Sequence, residues 1–352
     1  MGDVAGYLVI DDTALPKKGS HSVGVAAQYA SSLGKTANCQ SLVSVTLASR
    51  EVPVMVGLRL FLPESWTGDA GRMERARIPK ERQVALTKPE IAIEEIDRVI
   101  ASGARFGGVL ADAGAVYPER LPQAGSRRGS SGPFRQALSE RSLLWAVGIS
   151  RRQNVYRADI GLIFPQATVG RRRKYHVPDG VAASAETMLA DAKWQKISWR
   201  RGTKGKLTCL FAARRVRVAD GHKHRMAGGL VQAMPGEQEV WLVGERRTSG
   251  EQKYYLSNLP ADTPLKTLAG AIKARWICEQ AHQQLKEELG LDHFEGRSWP
   301  FDTLRRLAPT LPDGDDRLRL PPVPPPQSSG TEKKSRRATP TTDHAGHQAS
   351  HP

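Results

Sequence analysis

The N-terminal region contains the run Tyr7-Leu8-Val9-Ile10-Asp11-Asp12, four residues suited to a buried strand followed by two acids. A short apolar run of this kind predicts a strand that ends at the acids and is covered on both faces of a sheet. A second run, at 106–111, leads directly into Asp112. Because ligands collect where the strands of an α/β sheet end, we expect Asp11 and Asp112 to mark a functional edge.

Hydrophobic patterning predicts further elements around these two runs. The segment 13–24 is predicted to be a basic, turn-rich loop, and 153–260 to be rich in strands. Strands at 39–47 and 52–62 form a predicted antiparallel meander, with a further strand at 143–149 and helices at 89–101, 134–141 and 265–289. This order predicts an α/β fold with a mixed sheet and helices.

The same patterns divide the chain into four parts. Residues 1–150 are expected to form the first part of the core, and 151–262 a β-rich insertion. Residues 263–299 supply the helix that completes the core. Residues 300–352 are rich in proline and basic residues, so they are expected to form a disordered tail that buries too little apolar surface to offset its chain entropy.

The predicted helix 265–289 carries a charged stripe. At about 100° per residue, Arg275, Glu279 and Lys286 lie within about 40° of one another. The neighbouring stripe is apolar and suited to packing on a sheet; it contains Ala274, Ile277, Cys278, Ala281 and Leu285. A carboxylate between two cations suits metal and phosphate chemistry, although such stripes are most often solvated, salt-bridged faces.

The charge of the chain favours a polyanionic partner. The 352 residues carry a formal net charge of +16, which predicts affinity for DNA first and for an anionic membrane surface second. Apolar runs fall short of the roughly 20 residues that span a bilayer, and the N-terminus lacks the pattern of a signal peptide. The three cysteines, Cys39, Cys209 and Cys278, show no paired metal-ligand spacing. These features predict a cytoplasmic, nucleoid-associated protein without membrane contact.

Basic clusters with nearby tryptophans are candidate DNA contacts, with a solvated surface as the alternative. Trp194 and Trp199 are expected in the core more than on a flipped base, and 222–224 in a surface loop more than at a metal. The clusters are 171–174, 200–201 with Lys204 and Lys206, and Arg214, Arg215 and Arg217.

Three acids from separated segments, Asp11, Asp112 and Glu279, are candidate metal ligands. Such a set can hold two divalent cations about 3.5–4 Å apart, which activate a water or a 3′-hydroxyl at a phosphodiester. Mg²⁺ fits because it prefers oxygen ligands beside substrate phosphates. Each acid taken alone is also explained as a turn or helix-cap residue.

The segments around these acids resemble DDE transposases of bacterial insertion sequences, most closely the insertion sequence 701 family. The resemblance implies an RNase H-like core, strand cleavage and strand transfer on double-stranded DNA, and two Mg²⁺ that Mn²⁺ can replace. It also implies a homodimer assembled on DNA. The segments that carry it are 7–13 with 17–19 and 22–25, then 108–114, and 253–258 followed by 275–299.

Residue by residue, the resemblance implies that Asp11, Asp112 and Glu279 form the metal-binding triad. Arg275 and Lys286 match basic positions that contact DNA phosphate. Asp12 rivals Asp11 for the first position, and the first segment adds Lys17 and Lys18 as further candidates.

The chain departs from the family pattern at several places. Ile272 replaces a tyrosine, and the segment 115–130 differs from the short turn expected after Asp112. The family's helical region before the first strand and apolar helix after Trp299 are not matched here, so we expect a truncated copy with an aberrant C-terminus. An inactive DNA-binding remnant and a related metal-dependent nuclease are therefore alternatives to an active transposase.

Overall fold

The computed structural model describes residues 2–3, 5–30, 33–49, 52–116, 131–164, 175–202, 205–225, 231–291 and 296–299. The first half alternates long strands with helices. Its strands are β1 (Tyr7–Pro16), β2 (Ala26–Ala30), β3 (Lys35–Ser49), β4 (Val52–Phe61), β5 (Gly108–Ala111) and β6 (Trp145–Ile149). Its helices are α1 (Glu64–Thr67), α2 (Ala70–Arg75), α3 (Lys88–Ala101), α4 (Ala113–Val116) and α5 (Gly132–Glu140).

The second half is rich in strands and ends in two helices. Its strands are β7 (Asn154–Arg157), β8 (Leu162–Ile163), β9 (Val177–Pro178), β10 (Ala183–Ser184), β11 (Gln195–Gly202), β12 (Gly205–Val218), β13 (Lys223–Arg225), β14 (Val231–Ala233), β15 (Glu239–Arg246) and β16 (Gln252–Ser257). Its helices are α6 (Ala185–Met188), α7 (Leu265–Ala274) and α8 (Trp276–Leu289). The predicted surface loop at 222–224 was therefore wrong in part, because β13 pairs with β14 there.

One sheet of twelve strands runs through both halves, in the order β10-β7-β12-β15-β16-β6-β5-β1-β3-β2, with β11 on β12 and β4 on β3. At its centre β1, β5 and β6 are parallel, whereas β3 is antiparallel to β1. The insertion continues the sheet, since β16 pairs antiparallel with β6. The expected fold class, an RNase H-like mixed sheet with helices and a β-rich insertion, is confirmed.

Helices cover both faces of this sheet. On one face, α3 and α5 contribute Ile96, Val99 and Leu138 to a core that includes Leu8 and Ile10 of β1. On the other face, α7 and α8 pack on the opposite side of β1 and β5; this core includes Val9, Leu110, Leu268, Ile272 and Cys278. Side chains alternate along a strand, so the odd-numbered residues of β1 near Val9 face α7 and α8.

Helix α3 shows why one sequence prediction succeeded. Thr87 caps it in a capping box with Glu90, and a proline occupies the first turn. Both features favour a helix start at this position. The predicted helix 89–101 therefore coincides with α3 to within one residue at its start.

Strand β1 corrects the expectation that a strand ends at Asp11 and Asp12. Each residue of β1 through Pro16 has a partner on β3, ending in the pair Pro16 and Cys39. Because β3 extends over 15 residues, it keeps pairing with β1 beyond the two acids. Asp11 and Asp12 thus lie inside a strand, on opposite faces, and the predicted loop at 13–24 begins only after Pro16.

The predicted single helix 265–289 is two helices separated at Arg275. The carbonyl of Arg275 accepts hydrogen bonds from the Cys278 N–H, at 3.2 Å, and from the Cys278 thiol, at 2.9 Å. This i to i+3 pattern tightens the backbone where α8 begins. The three residues of the predicted stripe differ in exposure: Arg275 is largely buried, Lys286 is half-buried and Glu279 is exposed.

Four sequence predictions lie outside the described residues. They concern the tail at 300–352, the basic cluster at 171–174, Lys204, and nearly all of the unusual segment 115–130, which is described only to residue 116. In the part of the chain that is described, no helix is long and apolar enough to cross a membrane.

Candidate active site

Asp11 and Asp112 come together on neighbouring parallel strands. Ile10 pairs with Ala111 in the β1–β5 ladder, so the residue that follows each of them is an aspartate at the same level. Asp112 begins the turn into α4, where its carboxylate accepts the Ala113 N–H at 2.9 Å. The prediction that Asp112 directly follows a buried strand is confirmed.

Gly148 on β6 leaves room for this turn. A Cβ atom at Gly148 would lie 2.7 Å from the Ala113 nitrogen and 3.1 Å from Asp112 Oδ1. The first distance is shorter than real Cβ contacts, so a larger side chain would displace the carboxylate. A glycine at residue 148 therefore allows Asp112 to occupy its observed position.

Arg275 provides positive charge to the two aspartates. Its Nη1 lies 2.8 Å from Asp112 Oδ1, and its side chain is 14% exposed. Burial lowers the pKa of the guanidinium, but the charges of Asp112 and Asp11 outweigh burial, so the pKa is raised overall. The Arg275 Nε is buried and makes no hydrogen bond to a described residue. Arg275 thus keeps hydrogen-bonding capacity within the site.

Asp11 lies in a drier environment than Asp112. Its Oδ2 accepts a hydrogen bond from the Cys278 thiol at 3.4 Å and lies 3.9 Å from His282 Nδ1. Burial raises the pKa of Asp11 to about 6; Arg275 opposes this rise, and Asp12 and Asp112 add to it. A further cation beside Asp11 would favour the ionised form.

His282 borders the same site and was not recognised from the sequence. Its Nε2 is 2.8 Å from the Ser44 hydroxyl. Burial lowers the pKa of His282 to about 4, and the charge of Lys286 adds to this effect. The imidazole is therefore neutral near pH 7. A usable signal was present, because Arg275, Cys278 and His282 are spaced i, i+3 and i+7 on one helix face.

Glu279 is exposed in the first turn of α8, one residue beyond Cys278. A step of about 100° separates neighbouring side chains on a helix, so Cys278 and His282 face Asp11 while Glu279 points elsewhere. An acid in the first turn is also favoured by the helix dipole alone. The structure thus brings together Asp11, Asp112 and Arg275 and leaves Glu279 apart.

The remaining sequence candidates lie around this group. Asp12 faces α3, where its carboxylate is 2.9 Å from the nearly buried Lys88 Nζ. Lys17, just after β1, is buried, and Lys18 is exposed. Lys286 is half-buried on α8. Trp194 and Trp199 are half-buried and pack against the two cores from their edges, as the sequence favoured over a stacking role.

The side chains gathered at this site fit a metal ion only in part. Asp11 and Asp112 offer carboxylate oxygens of the kind Mg²⁺ prefers, and burial, with the neighbouring acids Asp12 and Asp112, raises the pKa of Asp11 despite Arg275. However, Arg275 contacts one oxygen of Asp112, and among the described residues no three His, Cys, Asp or Glu side chains are placed to hold an ion. The pair therefore suits a cation that also takes oxygen ligands from a substrate.

The variant D11N is expected to be more stable than the wild type above about pH 6 in metal-free buffer. The folded chain holds the Asp11 proton up to a pKa of about 6, whereas the unfolded chain releases it near pH 4, so this group lowers stability as pH rises through that window. The difference corresponds to about 3 kcal/mol.

Urea unfolding of both proteins across about pH 4 to 8 measures this effect. The pKa of His282 is lowered to about 4, so its contribution to stability rises with pH over part of the same window. The variant H282Q and the double variant D11N/H282Q separate the two contributions, because His282 lies 3.9 Å from Asp11. A difference in stability that stays constant with pH would contradict the buried ionisation of Asp11.

Comparison with known proteins gives a family match. Residues 1–206 match the DDE superfamily endonuclease family, so Glu279 lies beyond the matched region. No curated protein matches the chain.

Two solved structures show limited likeness. A piggyBac transposase synaptic complex with hairpin DNA matches at 9% identity and a TM-score of 0.34, covering 86% of this chain and 46% of that chain. This chain therefore spans about half the length of that transposase. The NurA nuclease from Sulfolobus solfataricus matches at 10% identity and a TM-score of 0.31, covering 87% of this chain and 84% of that one. The match over residues 1–206 includes more than half of the 352 residues, and the chain belongs to the DDE superfamily endonuclease family.

Proposed function

We propose that this protein is a DDE-type transposase that cleaves DNA strands at the ends of an insertion sequence and joins them to target DNA. The observation that carries the proposal is the pairing of Ile10 with Ala111, which sets Asp11 and Asp112 side by side. Membership of the endonuclease family supports phosphodiester cleavage as the reaction class. The insertion sequence 701 family, suggested by the motifs, is part of this proposal.

In this proposal Asp11 and Asp112 hold divalent cations, with Mg²⁺ as the natural ion and Mn²⁺ as a substitute. Bound at this site, the cations would lower the pKa of an attacking water or 3′-hydroxyl and stabilise the leaving oxygen. Arg275, with a free Nε, and Lys286 orient the phosphate. Burial of Asp11 and the neutral His282 keep the site dry, which strengthens its electrostatic interactions.

Glu279 is the proposed third metal ligand. It follows Cys278 on α8 and is exposed, so it would have to turn toward Asp11 when cations and DNA are bound. Its position beside the Arg275 break makes it the nearest carboxylate on α8 to the junction. The domain division at residues 150, 262 and 299, the DNA-bound homodimer and a nucleoid-associated cytoplasmic location belong to the same proposal.

The test is a nicking and joining assay on duplex DNA that contains the element's ends. Terminal inverted repeats in the surrounding nucleotide sequence, where they are found, would define those ends. Cleavage and joining that require Mg²⁺ or Mn²⁺ and stop with a chelator would support the transposase. Cleavage without joining would replace it with a nuclease, and binding without cleavage with an inactive DNA-binding remnant. The exposed position of Glu279 favours the remnant as the second candidate.

The variant E279Q separates a metal ligand from a surface acid. If Glu279 binds a cation in the reactive complex, E279Q should lower the cleavage rate at least about a hundredfold, because removal of one ligand weakens a charge interaction worth several kcal/mol. The matched control is E287Q, since Glu287 is an exposed acid later on α8 that accepts a hydrogen bond from Gln283. Equal rates for E279Q, E287Q and the wild type would limit the site to Asp11 and Asp112.

A further inference from the structure

The hairpin of β11 and β12 concentrates positive charge and lacks acids. Residues 193–218 contain no Asp or Glu and nine cations: Lys193, Lys196, Arg200, Arg201, Lys204, Lys206, Arg214, Arg215 and Arg217. The three arginines in the last part of β12 have partners: Arg214 binds Asp191, Arg215 binds Glu239, and Arg217 donates to the Gly236 carbonyl. Among the described residues of the hairpin, Lys196, Arg201 and Lys206 form no such ion pair.

Three of these cations share the outer face of the hairpin. Lys196 is opposite Leu210, and Arg201 is opposite Lys206. Ile197 and Cys209, in contrast, pack toward α7. A bulge between Ser198 and Arg200 turns both Trp199 and Arg200 toward the helices and returns Arg201 to the outer face. Ser198 and Thr208, which also face each other across the ladder, add hydroxyl groups to this face.

The pairing of Arg201 with Lys206 is unfavourable for the isolated protein. Like charges directly opposite each other on antiparallel strands destabilise the pair. Lys196, Arg201 and Lys206 are all exposed, and no acid of the described residues forms an ion pair with them. An anionic group bound between Arg201 and Lys206 would attract both side chains and so offset the repulsion between them.

Aromatic stacking fixes the hairpin beside the candidate active site. The Arg200 guanidinium lies 3.6 Å above the ring of Trp276, the residue that follows Arg275. Lys273 lies 4.5 Å from the ring of Trp199. Arg201 follows Arg200 in the chain, and Arg200 contacts Trp276. Trp276 in turn follows Arg275, which binds Asp112. The inner face of the hairpin therefore packs against the α7–α8 junction, and its cationic outer face is directed away from the two helices.

We propose that Lys196, Arg201 and Lys206, with the hydroxyls of Ser198 and Thr208, bind the phosphate backbone of duplex DNA along the outer face of the hairpin. Charge complementarity selects a polyanion, and the link to the aspartates selects the nucleic acid that the family cleaves. The inference rests on the proposed function for its choice of DNA. The binding itself requires no intact chemistry, so it can be measured on an inactive preparation.

The experiment measures the affinity of the full-length chain for a short duplex of arbitrary sequence by fluorescence anisotropy over about 50 to 200 mM salt. Each phosphate contact contributes about 0.9 to the slope of log affinity against log salt. R201Q/K206Q should therefore lower the slope by about 1.8 and weaken binding at low salt. R201K/K206R keeps both charges and should retain the wild-type slope.

The matched control is R105Q/K266Q, which removes two exposed cations, Arg105 shortly before β5 and Lys266 in the first turn of α7, away from the aspartates. Its slope should stay at the wild-type value. An unchanged slope for R201Q/K206Q, or equal losses in both double variants, would overturn the proposal. The proposal would also be overturned if R201Q/K206Q lost binding to anionic lipid vesicles while its binding to DNA stayed unchanged. If the wild type fails to cleave DNA but R201Q/K206Q still shows the expected lower salt slope, only the catalytic proposal is overturned.

Discussion

Replacing Asp112 with asparagine is expected to lower metal-dependent DNA cleavage by at least about a thousandfold while duplex affinity stays close to that of the wild type. The carboxylate is half of the Asp11–Asp112 pair and also holds Arg275 at 2.8 Å. Removing its charge weakens cation binding by several kcal/mol, and each 1.36 kcal/mol corresponds to a tenfold change in rate. Binding of the duplex relies on many phosphate contacts and should tolerate this single change.

The adjacent acids Asp11 and Asp12 supply an internal comparison for this result. D11N should abolish cleavage as D112N does, because both side chains face the Arg275 junction. D12N should retain cleavage, because Asp12 binds Lys88 on the α3 face of the sheet. Single-turnover cleavage and anisotropy on the same preparations measure both effects. Wild-type cleavage by D112N, or loss of cleavage only in D12N, would place the catalytic centre elsewhere.

Replacing Lys273 with methionine is expected to lower the free energy of unfolding by about 1.5–3 kcal/mol, the range for one hydrogen bond to a charged group, because Arg247 still compensates the carboxylate that Lys273 binds. Lys273 Nζ lies 2.7 Å from Glu245 Oε1, and the Glu245 side chain is 0% exposed. Tyr255 also donates to this carboxylate at 3.0 Å, and Arg247 at 3.0 Å. Burial raises the pKa of Glu245, but bonds from Lys273 and Arg247 outweigh burial and lower it.

Urea or thermal unfolding of K273M, E245Q and E245Q/K273M tests this pair. The double variant should lose less stability than the two single variants together, because each single variant already removes the contact between the two charges. R157Q is the control, since Arg157 and Asp159 form an exposed pair whose loss should not move the unfolding midpoint. Strict additivity of K273M and E245Q would show that the two charges are not coupled.

Much of the core could be predicted from local patterns. Buried strands such as β5 and β6, and a capped amphipathic helix such as α3, are specified by their own residues. The continuation of β1 past Asp11 could not be predicted, because it depends on the length of β3, a partner about thirty residues away in the chain. Propensity does not encode that partner, so the two acids were expected to end the strand.

The sequence predicted the two aspartates of the candidate site but not the orientation of helix α8. Asp112 follows a short buried strand, which the sequence shows directly. The orientation of α8 depends on a tertiary contact, since Arg275 turns inward to Asp112 and the helix restarts at Trp276. An ideal helix from 265 to 289 placed Glu279 beside Arg275, whereas Cys278 and His282 occupy the positions facing Asp11.

The shared ladder between β6 and β16 also limits how this protein can be shortened or recombined. Deleting the insertion would leave β6 with a row of unmatched N–H and C=O groups, which invites other chains to pair there and aggregate. Grafting the insertion onto another core would require an acceptor strand of the same length and direction. The two halves of this chain are therefore expected to have changed together during evolution, because neither half has a complete sheet edge without the other.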